Sequence, residues 1–418
     1  MKSLTNLATL LLLSMFFYSC NNKSISSSTN KEDVNTKKQS KMEINPEKSN
    51  NLFAIDLIKQ IELSKKNTII SPFSINTAIS MTYAGARNKT MEQIAQVMYY
   101  SLDQEKFHPE FKEYYESVKS LSGKKAGFEA ANAIYAQEGY DFLQEYFDLI
   151  EKNYGSVLNY VDFYKGDREA IRKDINQWVE SKTNSKIQNL IRKNILTEDT
   201  RMVIVNAIYF LAEWAVAFDE DVSYKDVFYT DKEKSAKTTF MTNKSEYNYY
   251  NDNKCSAIEI PYHDNKFSMM IVLPEENAAL GKFADSFESS YFNEIVGGFE
   301  KQEVELHLPK FKIELHVELQ DVLSKMGMPI AFSNKADLSG MTGDLDLKID
   351  KVIHQAYIEV DEKGTEAAAA TAVVIIRKTA APSDDKLIFK ANRPFLFFIK
   401  ENTHNSIIFG GSLVNPEE

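Results

Sequence analysis

Cysteine is scarce in this chain, whose 418 residues contain only Cys20 and Cys255. Cys20 follows an apolar N-terminal stretch that is interpreted below as a leader, so Cys255 has no expected disulfide partner. The fold is therefore predicted to be stable without a disulfide, even in an oxidising compartment. Two isolated thiols also exclude a Cys-x-x-Cys redox or zinc motif.

The chain also lacks the short motifs that mark common enzyme sites. It contains no Gly-x-Ser-x-Gly elbow, no His-Glu-x-x-His sequence and no phosphate-binding loop. His307 and His316 lie on either side of Pro309, and we expect both at the surface. The six histidines show no metal-ligand spacing with one another: His108, His263, His307, His316, His354 and His404. The sequence thus predicts no enzyme, and it predicts no cofactor and no metal.

Excess negative charge limits the partners further. A formal net charge of −11, with no basic stripe interleaved with aromatic residues, argues against a nucleic-acid partner. Residues 51–418 contain no internal repeat and no second linker. We therefore expect them to form one large domain.

The first residues have the composition of a secretory leader. Lys2 supplies a positive charge, residues 7–18 are mostly apolar, and a small residue precedes Cys20. Residues 1–19 are predicted to be a signal peptide, since they are too few for a retained membrane span. The residues before the cysteine resemble a bacterial lipobox, with Phe17 where leucine is usual, so Cys20 is the expected lipidation site. Ordinary secretion with a different cleavage site is the alternative.

Residues 20–50 have the composition of a disordered tether. They are rich in Ser, Asn and Lys and contain hardly any large apolar side chains. About thirty flexible residues span on the order of 30 Å as a random coil. With Cys20 acylated, the tether would hold the domain stably at a membrane through its lipid alone. We expect a cell-envelope lipoprotein of the outer membrane, facing either the periplasm or the exterior.

Hydrophobic spacing after the tether indicates both helices and strands. Helical spacing appears over residues 53–61 and 171–179, whereas apolar and polar residues alternate over 304–308 as in a strand. Hairpins are predicted over residues 257–273 and 395–409, each with a polar turn near its middle. Helices dominate the first half and strands the second, which is typical of the α+β class.

The segment Tyr357–Thr379 combines features that one conformation cannot satisfy. After one flexible joint, Gly364, the chain is almost free of charged or bulky side chains as far as Ile376. Such a run could be buried on both faces as a central strand. It ends, however, on the dibasic pair Arg377–Lys378, which is bait for a trypsin-like protease and must be exposed. The pattern therefore indicates a segment with two conformations.

A surface helix over residues 365–372 is the alternative interpretation of this segment, because alanine has the highest helix propensity. An exposed helix normally carries a polar face, which this run lacks after Glu366. The β-branched residues that follow at 373–376 also favour a strand.

Short motifs in matching order resemble the signatures of the serpin family over nearly all of the chain from about Asn51. The motifs are residues 361–368 (DEKGTEAA), 67–75 (NTIISPFSI), 205–210 (VNAIYF) followed by Glu213, Trp214 and Phe218, 308–311 (LPKF), 332–340 (FSNKADLSG), 389–395 (FKANRPF) and 414–416 (VNP). The resemblance implies an α+β serpin fold. Helices would surround a large central mixed β-sheet plus two smaller sheets, with an exposed reactive-centre loop at about 362–386.

The resemblance also assigns the parts of that loop. It places the residue before the scissile bond fourteen positions beyond Gly364, so Lys378–Thr379 is the expected reactive bond, with Arg377 as the alternative. The implied hinge consists of Glu362, Gly364, Thr365, Ala367, Ala368, Ala369 and Ala370. After cleavage, residues from Thr365 to about Ile376 are expected to enter the central sheet.

Two further clusters are carried over from the family. The resemblance assigns Ser71, Ser74, Asn206 and His354 to the shutter, where the central sheet parts, and Trp214 and Lys310 to the breach above it. Strand alternation puts His354 on the same face as Val352 and Ala356, so we expect it to be buried. Lys310 is expected to pair with Glu362, although two unrelated surface charges are the simpler alternative.

The function implied by the resemblance is suicide inhibition of serine proteases. Trypsin-like targets are preferred because the bait is basic, and elastase-like or cysteine proteases are further candidates. The inhibitor would act as a monomer and trap the acyl-enzyme by inserting the cleaved loop into the central sheet. The alternative is a non-inhibitory serpin that serves as a surface-tethered binding module or protease decoy. The small, uncharged hinge favours inhibition.

Overall fold

The computed structural model describes residues 45–61, 65–101, 103–155, 158–230, 234–365 and 387–417, which contain ten α-helices and fifteen β-strands. The helices are α1 Pro46–Gln60, α2 Pro72–Gly85, α3 Asn88–Met98, α4 Gln104–Ser120, α5 Gln144–Tyr154, α6 Arg168–Lys182, α7 Leu280–Asp285, α8 Ser289–Gly297, α9 Gln320–Met326 and α10 Ser339–Thr342. The strands are β1 Thr68–Ile70, β2 Ala126–Gln137, β3 Leu158–Val161, β4 Met202–Glu213, β5 Tyr224–Tyr229, β6 Ser235–Asn251, β7 Cys255–Pro261, β8 Phe267–Pro274, β9 Glu300–Pro309, β10 Phe311–Glu318, β11 Lys351–Val360, β12 Gly364–Thr365, β13 Leu387–Lys390, β14 Phe395–Glu401 and β15 Ile407–Leu413.

Helix α1 begins earlier than the expected end of the tether at residue 50. Asn45 caps the helix by accepting a hydrogen bond from the Lys48 N–H, and Pro46 occupies the first turn, where its missing N–H costs nothing. Asn50 is buried because its side-chain amide donates to the Ile407 carbonyl at 2.8 Å. These polar residues look like tether by composition, but they attach α1 to the C-terminal hairpin.

The central sheet has six strands in the order β10-β11-β12-β4-β2-β3. It is mixed, since β11 runs parallel to β4 and β2 runs parallel to β3, while the remaining pairs are antiparallel. Strand β4 is buried along most of its length, which suits its nearly continuous apolar sequence. Asn206 interrupts that sequence with a buried amide.

The other strands form a nine-stranded sheet in the described residues, with the order β1-β15-β14-β8-β7-β6-β9-β13 and β5 paired to β6. We expected two smaller sheets, and β6 joins them. It spans 17 residues, of which the first part pairs with β5 and the last part with β7. Both predicted hairpins are confirmed as β7–β8 and β14–β15, and the predicted helical spacings fall in α1 and α6.

The two faces of the central sheet pack against different layers. On one face, Ile175 and Val179 of α6 lie in a buried cluster with Val205 of β4 and Ile353 of β11. On the other face lies the main core, which contains both α2 and the nine-stranded sheet. Every residue of α2 is buried, because the helix is enclosed between layers. Within the described part of the chain, no helix has the length and apolar content needed to span a bilayer.

Candidate functional site

The expected hinge begins as a tight turn after β11. The Asp361 carboxylate accepts hydrogen bonds from the N–H groups of Lys363 and Gly364 at 2.8 and 3.2 Å. The Asp361 N–H in turn donates to the Gly364 carbonyl at 2.9 Å. Asp favours such turns because its short side chain can satisfy backbone donors two and three residues ahead. The turn reverses the chain so that residue 364 runs back beside β11.

Strand β12 lies between β11 and β4 of the central sheet. From Lys351–Val203 to Tyr357–Tyr209, β11 and β4 pair directly with each other. Beyond that point they separate, and β12 pairs with Val360 on one side and with Ala212 and Glu213 on the other. At this end of the central sheet, β4 and β11 are thus already separated, and two hinge residues lie between them.

This arrangement differs from the expected exposed loop over residues 362–386. Glu362 and Thr365 are 3% and 0% exposed, so the start of the predicted loop is buried in the uncleaved chain. Insertion was expected to begin at Thr365 after cleavage, whereas the structure has Thr365 paired on both sides beforehand. The backbone hydrogen bonds that two neighbouring strands offer at this position explain why the residue is drawn in.

Gly364 is required here for space. A Cβ atom at this position would lie 2.0 Å from the carbonyl oxygen of Ala212 and 2.8 Å from the Cα of Glu213. Only glycine lets the backbone approach β4 this closely. The residue that the sequence marked as a flexible joint is therefore a tightly packed strand residue in this state.

Trp214 holds the turn from the side of β4. Its indole N–H donates to the Asp361 carbonyl at 2.9 Å, and its backbone N–H donates to the Lys363 carbonyl at 2.9 Å. Its ring stacks on Tyr262 with a centroid distance of 4.5 Å and an interplanar angle of 5°. The Tyr262 hydroxyl lies 2.6 Å from Oγ1 of Thr365. Trp214 and Tyr262 therefore connect the hinge to two different strands.

Glu362 and Lys310 form the ion pair that was expected at the base of the hinge. Lys310 Nζ lies 2.5 Å from Oε2 of Glu362, and the Ser223 hydroxyl donates to Oε1 at 2.8 Å. Burial alone would raise the pKa of Glu362, but the hydrogen bonds from Lys310 and Ser223 outweigh it and lower the pKa below its usual value. The carboxylate therefore remains ionised at neutral pH and joins the turn to β9–β10 and to the segment before β5.

The shutter residues meet at the middle of the central sheet. His354 is 0% exposed, and its Nε2 accepts a hydrogen bond from the Ser71 N–H at 3.2 Å. Nδ1 therefore carries the ring proton and donates to Oδ1 of Asn206. Burial lowers the pKa of His354 to about 3, so the ring is neutral over the physiological range.

Asn206 extends this network towards β2 and α2. Its amide donates to the Ser74 hydroxyl at 2.6 Å and to the side-chain oxygen of Asn132. Ser71 caps α2, since its hydroxyl accepts from the Ser74 N–H at 3.2 Å and donates to the Ile408 carbonyl at 2.7 Å. These hydrogen bonds join β2, β4, β11, α2 and β15.

Sequence reasoning missed Asn132, Tyr262 and Ser223. A signal existed for Asn132, because it interrupts the apolar face that Phe128, Ile134 and other residues of β2 present to the main core. Tyr262 directly follows β7, the first strand of its hairpin, and nothing in the neighbouring sequence distinguishes it from a tyrosine that only fills the core. The serine offers no pattern at all.

The C-terminal side of the loop returns to the fold at β13. Lys390 Nζ lies 2.6 Å from Asp226 of β5, and its charge also stands over the Tyr224 ring at 5.8 Å. His307 is part of the same cluster, since its Nδ1 lies 2.8 Å from the Tyr224 hydroxyl. His316 contacts the Leu190 carbonyl at 2.8 Å. Both histidines are thus partly buried, contrary to the surface position expected for them, because long strands rather than a loop carry them.

Several predicted residues lie outside the described ranges. They are Cys20, Ala367, Ala368, Ala369, Ala370, Arg377, Lys378 and Thr379. In the part of the chain that the structure covers, no group of three or more His, Cys, Asp or Glu side chains is arranged to hold a metal ion.

Comparison with known proteins identifies the family to which this chain belongs. The family model described as Serpin (serine protease inhibitor) matches residues 48–416. The chain is a serpin. Human serpin B4 is 36% identical over 389 residues, which cover 88% of this chain and 98% of the relative. The leukocyte elastase inhibitor of Sus scrofa is 34% identical over 378 residues, which cover 88% and 98% of the two chains.

Solved structures agree with this assignment. The native state of tengpin, a thermophilic serpin, superposes with a TM-score of 0.79 at 29% identity, covering 88% of this chain and 93% of tengpin. The serpin fold of the chain, with helices around a large mixed sheet and a second sheet, is therefore established. This serpin belongs to a family of protease inhibitors rather than to a family of enzymes.

Proposed function

We propose that this serpin is a suicide-substrate inhibitor of serine proteases with trypsin-like specificity. The observation that carries the proposal is the position of β12, which lies between β4 and β11 where the two strands part. A strand that follows Thr365 into this opening would extend β12 along the sheet. The leukocyte elastase inhibitor among the relatives supports protease inhibition in general.

The expected reaction begins when the target's catalytic serine attacks the carbonyl of Lys378. An ester forms between that serine and Lys378, the amide bond to Thr379 breaks, and Thr379 leaves as a free amine. Residues from Glu366 onward then follow Thr365 into the sheet. About twelve inserted residues at about 3.3 Å each would carry the attached protease roughly 40 Å across the molecule.

Insertion must be faster than hydrolysis of the ester for the trap to close. The hinge residues Ala367–Ala370 suit this requirement, because little side chain has to pass between the parting strands. Asn206 and His354 suit it as well, since a hydrogen bond between two side chains joins β4 and β11 at the middle of the sheet and can be exchanged for another when these strands part. The native state would store the free energy that insertion releases.

The decisive experiment is to mix the protein with trypsin and examine the products on denaturing gels with intact mass analysis. We expect a band that resists boiling, with the combined mass of inhibitor and protease, and a released peptide that starts at Thr379. Lys378→Gln should abolish cleavage at this bond, whereas the matched variant Arg377→Gln should retain it. Cleavage without any covalent complex would contradict inhibition and would favour a decoy or binding module.

We also propose that the protein is a lipoprotein of the cell envelope, tethered through Cys20. The support is the order of a positively charged, apolar leader, a small residue and a cysteine at the start of the chain. Labelled palmitate should be incorporated into the expressed protein and should be lost in Cys20→Ala. Incorporation that persists in this variant would contradict the assignment, and the same substitution at Cys255 serves as the control.

A further inference from the structure

The buried hinge residue Thr365 has a polar partner in Tyr262, which directly follows β7. Thr365 is 0% exposed and is paired to Val360 on one side and Ala212 on the other. A buried hydroxyl needs a hydrogen bond, because it has given up its water. Oγ1 of Thr365 finds it at the hydroxyl of Tyr262, 2.6 Å away.

Tyr262 depends on the same contact. Its side chain is 0% exposed, and the hydrogen bond to Thr365 is the one that its hydroxyl makes in the described structure. Burial raises the pKa of Tyr262 well above its ordinary value, so the hydroxyl is always protonated. Each of the two hydroxyls is therefore satisfied by the other when β12 is in place.

The Tyr262 ring is held rigidly for this role. It stacks on Trp214 at 4.5 Å and meets the edge of Phe210 at 5.1 Å. Its backbone N–H donates to the Phe267 carbonyl at 2.9 Å across the β7–β8 turn. Trp214 itself holds the hinge turn through Asp361. The Tyr262 hydroxyl is thus fixed relative to the slot, which is the gap between β4 and β11 that β12 occupies.

We propose that Tyr262 is a positioning residue for loop insertion. Its hydroxyl receives Thr365, which follows Gly364 and supplies the first loop side chain to enter the sheet. The strands β4 and β11 are therefore already parted and in register when the rest of the loop follows. The role rests on the proposed inhibitory function, because it matters only if insertion competes with hydrolysis of the acyl-enzyme. The same geometry explains why a hydroxyl residue is accommodated at position 365 in a slot lined by Ala212 and Val360.

A double-substitution cycle tests this role. Tyr262→Phe leaves the Thr365 hydroxyl without its partner, and Thr365→Val leaves the Tyr262 hydroxyl without its partner. Either change should lower the ratio of trapped to hydrolysed trypsin on the order of tenfold. The double variant removes both hydroxyls and should recover most of the wild-type ratio. If its loss equals the two single losses combined, or if Tyr262→Phe changes nothing, the proposal is wrong.

A structural effect of losing any buried tyrosine hydroxyl is excluded by a matched control. Tyr146 is buried on α5, and its hydroxyl donates to the Met81 carbonyl at 3.2 Å, far along the chain from the hinge. Tyr146→Phe should leave the ratio of trapped to hydrolysed protease unchanged even if the melting temperature falls. A loss equal to that of Tyr262→Phe would contradict a specific role for Tyr262.

Hydrogen exchange tests, without a protease, whether Tyr262 holds Thr365 between β4 and β11. The amides of residues 361–365 should exchange slowly in the wild type, on the order of tenfold faster in Tyr262→Phe, and slowly again in the double variant. The chain has only two tryptophans, so Trp178→Phe leaves Trp214 as the one fluorescent indole. In that background, Tyr262→Phe should change the fluorescence of Trp214, and the double variant should restore it. If trypsin cleaves the wild type without forming a complex, the proposed function fails. Even then, exchange that is fast in Tyr262→Phe and slow again in the double variant would establish that Tyr262 holds Thr365 in the sheet. Exchange rates that do not follow this order would overturn that role as well.

Discussion

The backbone N–H of Ser71 donates a hydrogen bond of 3.2 Å to Nε2 of His354, which joins the start of α2 to β11. The other ring nitrogen of His354 donates to Asn206 on β4. One imidazole therefore links a helix and both of the strands between which the loop would insert. Because every group in this cluster is buried, each lost partner leaves an unsatisfied polar atom in the core.

His354→Ala should lower the melting temperature and promote loop-swapped polymers. The change leaves the Asn206 oxygen and the Ser71 N–H without partners, at a cost of about 1–3 kcal/mol for each group left unsatisfied. Melting curves and size-exclusion chromatography after mild heating measure the two effects. His263→Ala, on the partly exposed β7–β8 turn, is the control and should change neither. Unchanged melting with a clean monomer in His354→Ala would contradict the role of the shutter.

Acid should destabilise the native state through the same histidine. Burial holds the pKa of His354 at about 3 in the folded protein, against 6.5 as its ordinary value. As the pH falls below about 6.5, the unfolded chain takes up a proton that the folded chain refuses, so the free energy of unfolding decreases. Each such group contributes about 1.4 kcal/mol per pH unit once the unfolded form is mostly protonated.

His108 acts in the same direction, since burial lowers its pKa to about 4. Unfolding midpoints in denaturant at pH 7.5, 6.5, 5.5 and 5.0 measure the dependence above the range in which carboxylates titrate. His354→Asn should fall less steeply with decreasing pH than the wild type, although it is less stable at pH 7.5. Parallel pH dependence of the two proteins would show that His354 carries no such linkage.

Local pattern predicted the environment of His354 but not its whole set of partners. Alternation along β11 gives the face of each side chain. Val352 and Ala356 accordingly lie in the main core, whereas Ile353 and Tyr357 lie in the cluster on the other face of the sheet. Asn132 lies opposite Asn206 in the antiparallel β2–β4 pair. Alternation identifies a face but not the register between strands that are distant in sequence, so this contact could not be predicted.

The hinge shows a second limit of sequence reasoning. Small residues and one glycine indicated a segment able to enter the sheet, but they did not indicate how far it enters before cleavage. That depends on the turn at Asp361, on the close approach of Gly364 to Ala212 and on the seat that Tyr262 provides. The contact of Tyr262 with Thr365 and the pairing of Gly364 with Glu213 each join residues more than 100 positions apart in the chain. Composition carries no information about them.

The pair between Lys310 and Glu362 should control how readily the sheet opens. Glu362 is almost fully buried, so Lys310→Ala leaves its carboxylate with Ser223 as its remaining side-chain partner. Because Lys310 itself is 40% exposed, water can compensate in part, and we expect a loss of about 1 kcal/mol. The rate at which the inhibitory monomer is lost on heating should increase accordingly.

Glu220→Ala provides the matched control for that experiment. Glu220 pairs with Lys363 of the same turn at 3.6 Å, but both side chains are exposed. Such a pair contributes little, so its removal should leave the rate of monomer loss within error of the wild type. Equal rates in Lys310→Ala and the wild type would mean that the buried end of the pair does not limit opening.

Blocking the slot should convert the inhibitor into a substrate. Thr365→Arg places a long cation where the native side chain is 0% exposed and enclosed by neighbouring strands, so β12 cannot be seated without burying an unpaired charge. Ala369→Arg is expected to act in the same way further along the hinge. In both variants trypsin should still cleave after Lys378, but the acyl-enzyme should hydrolyse before insertion. Lys363→Arg keeps the charge on an exposed side chain of the same turn and should inhibit as the wild type does. Denaturing gels over a time course distinguish the products, and a full yield of covalent complex with Thr365→Arg would refute insertion through this slot.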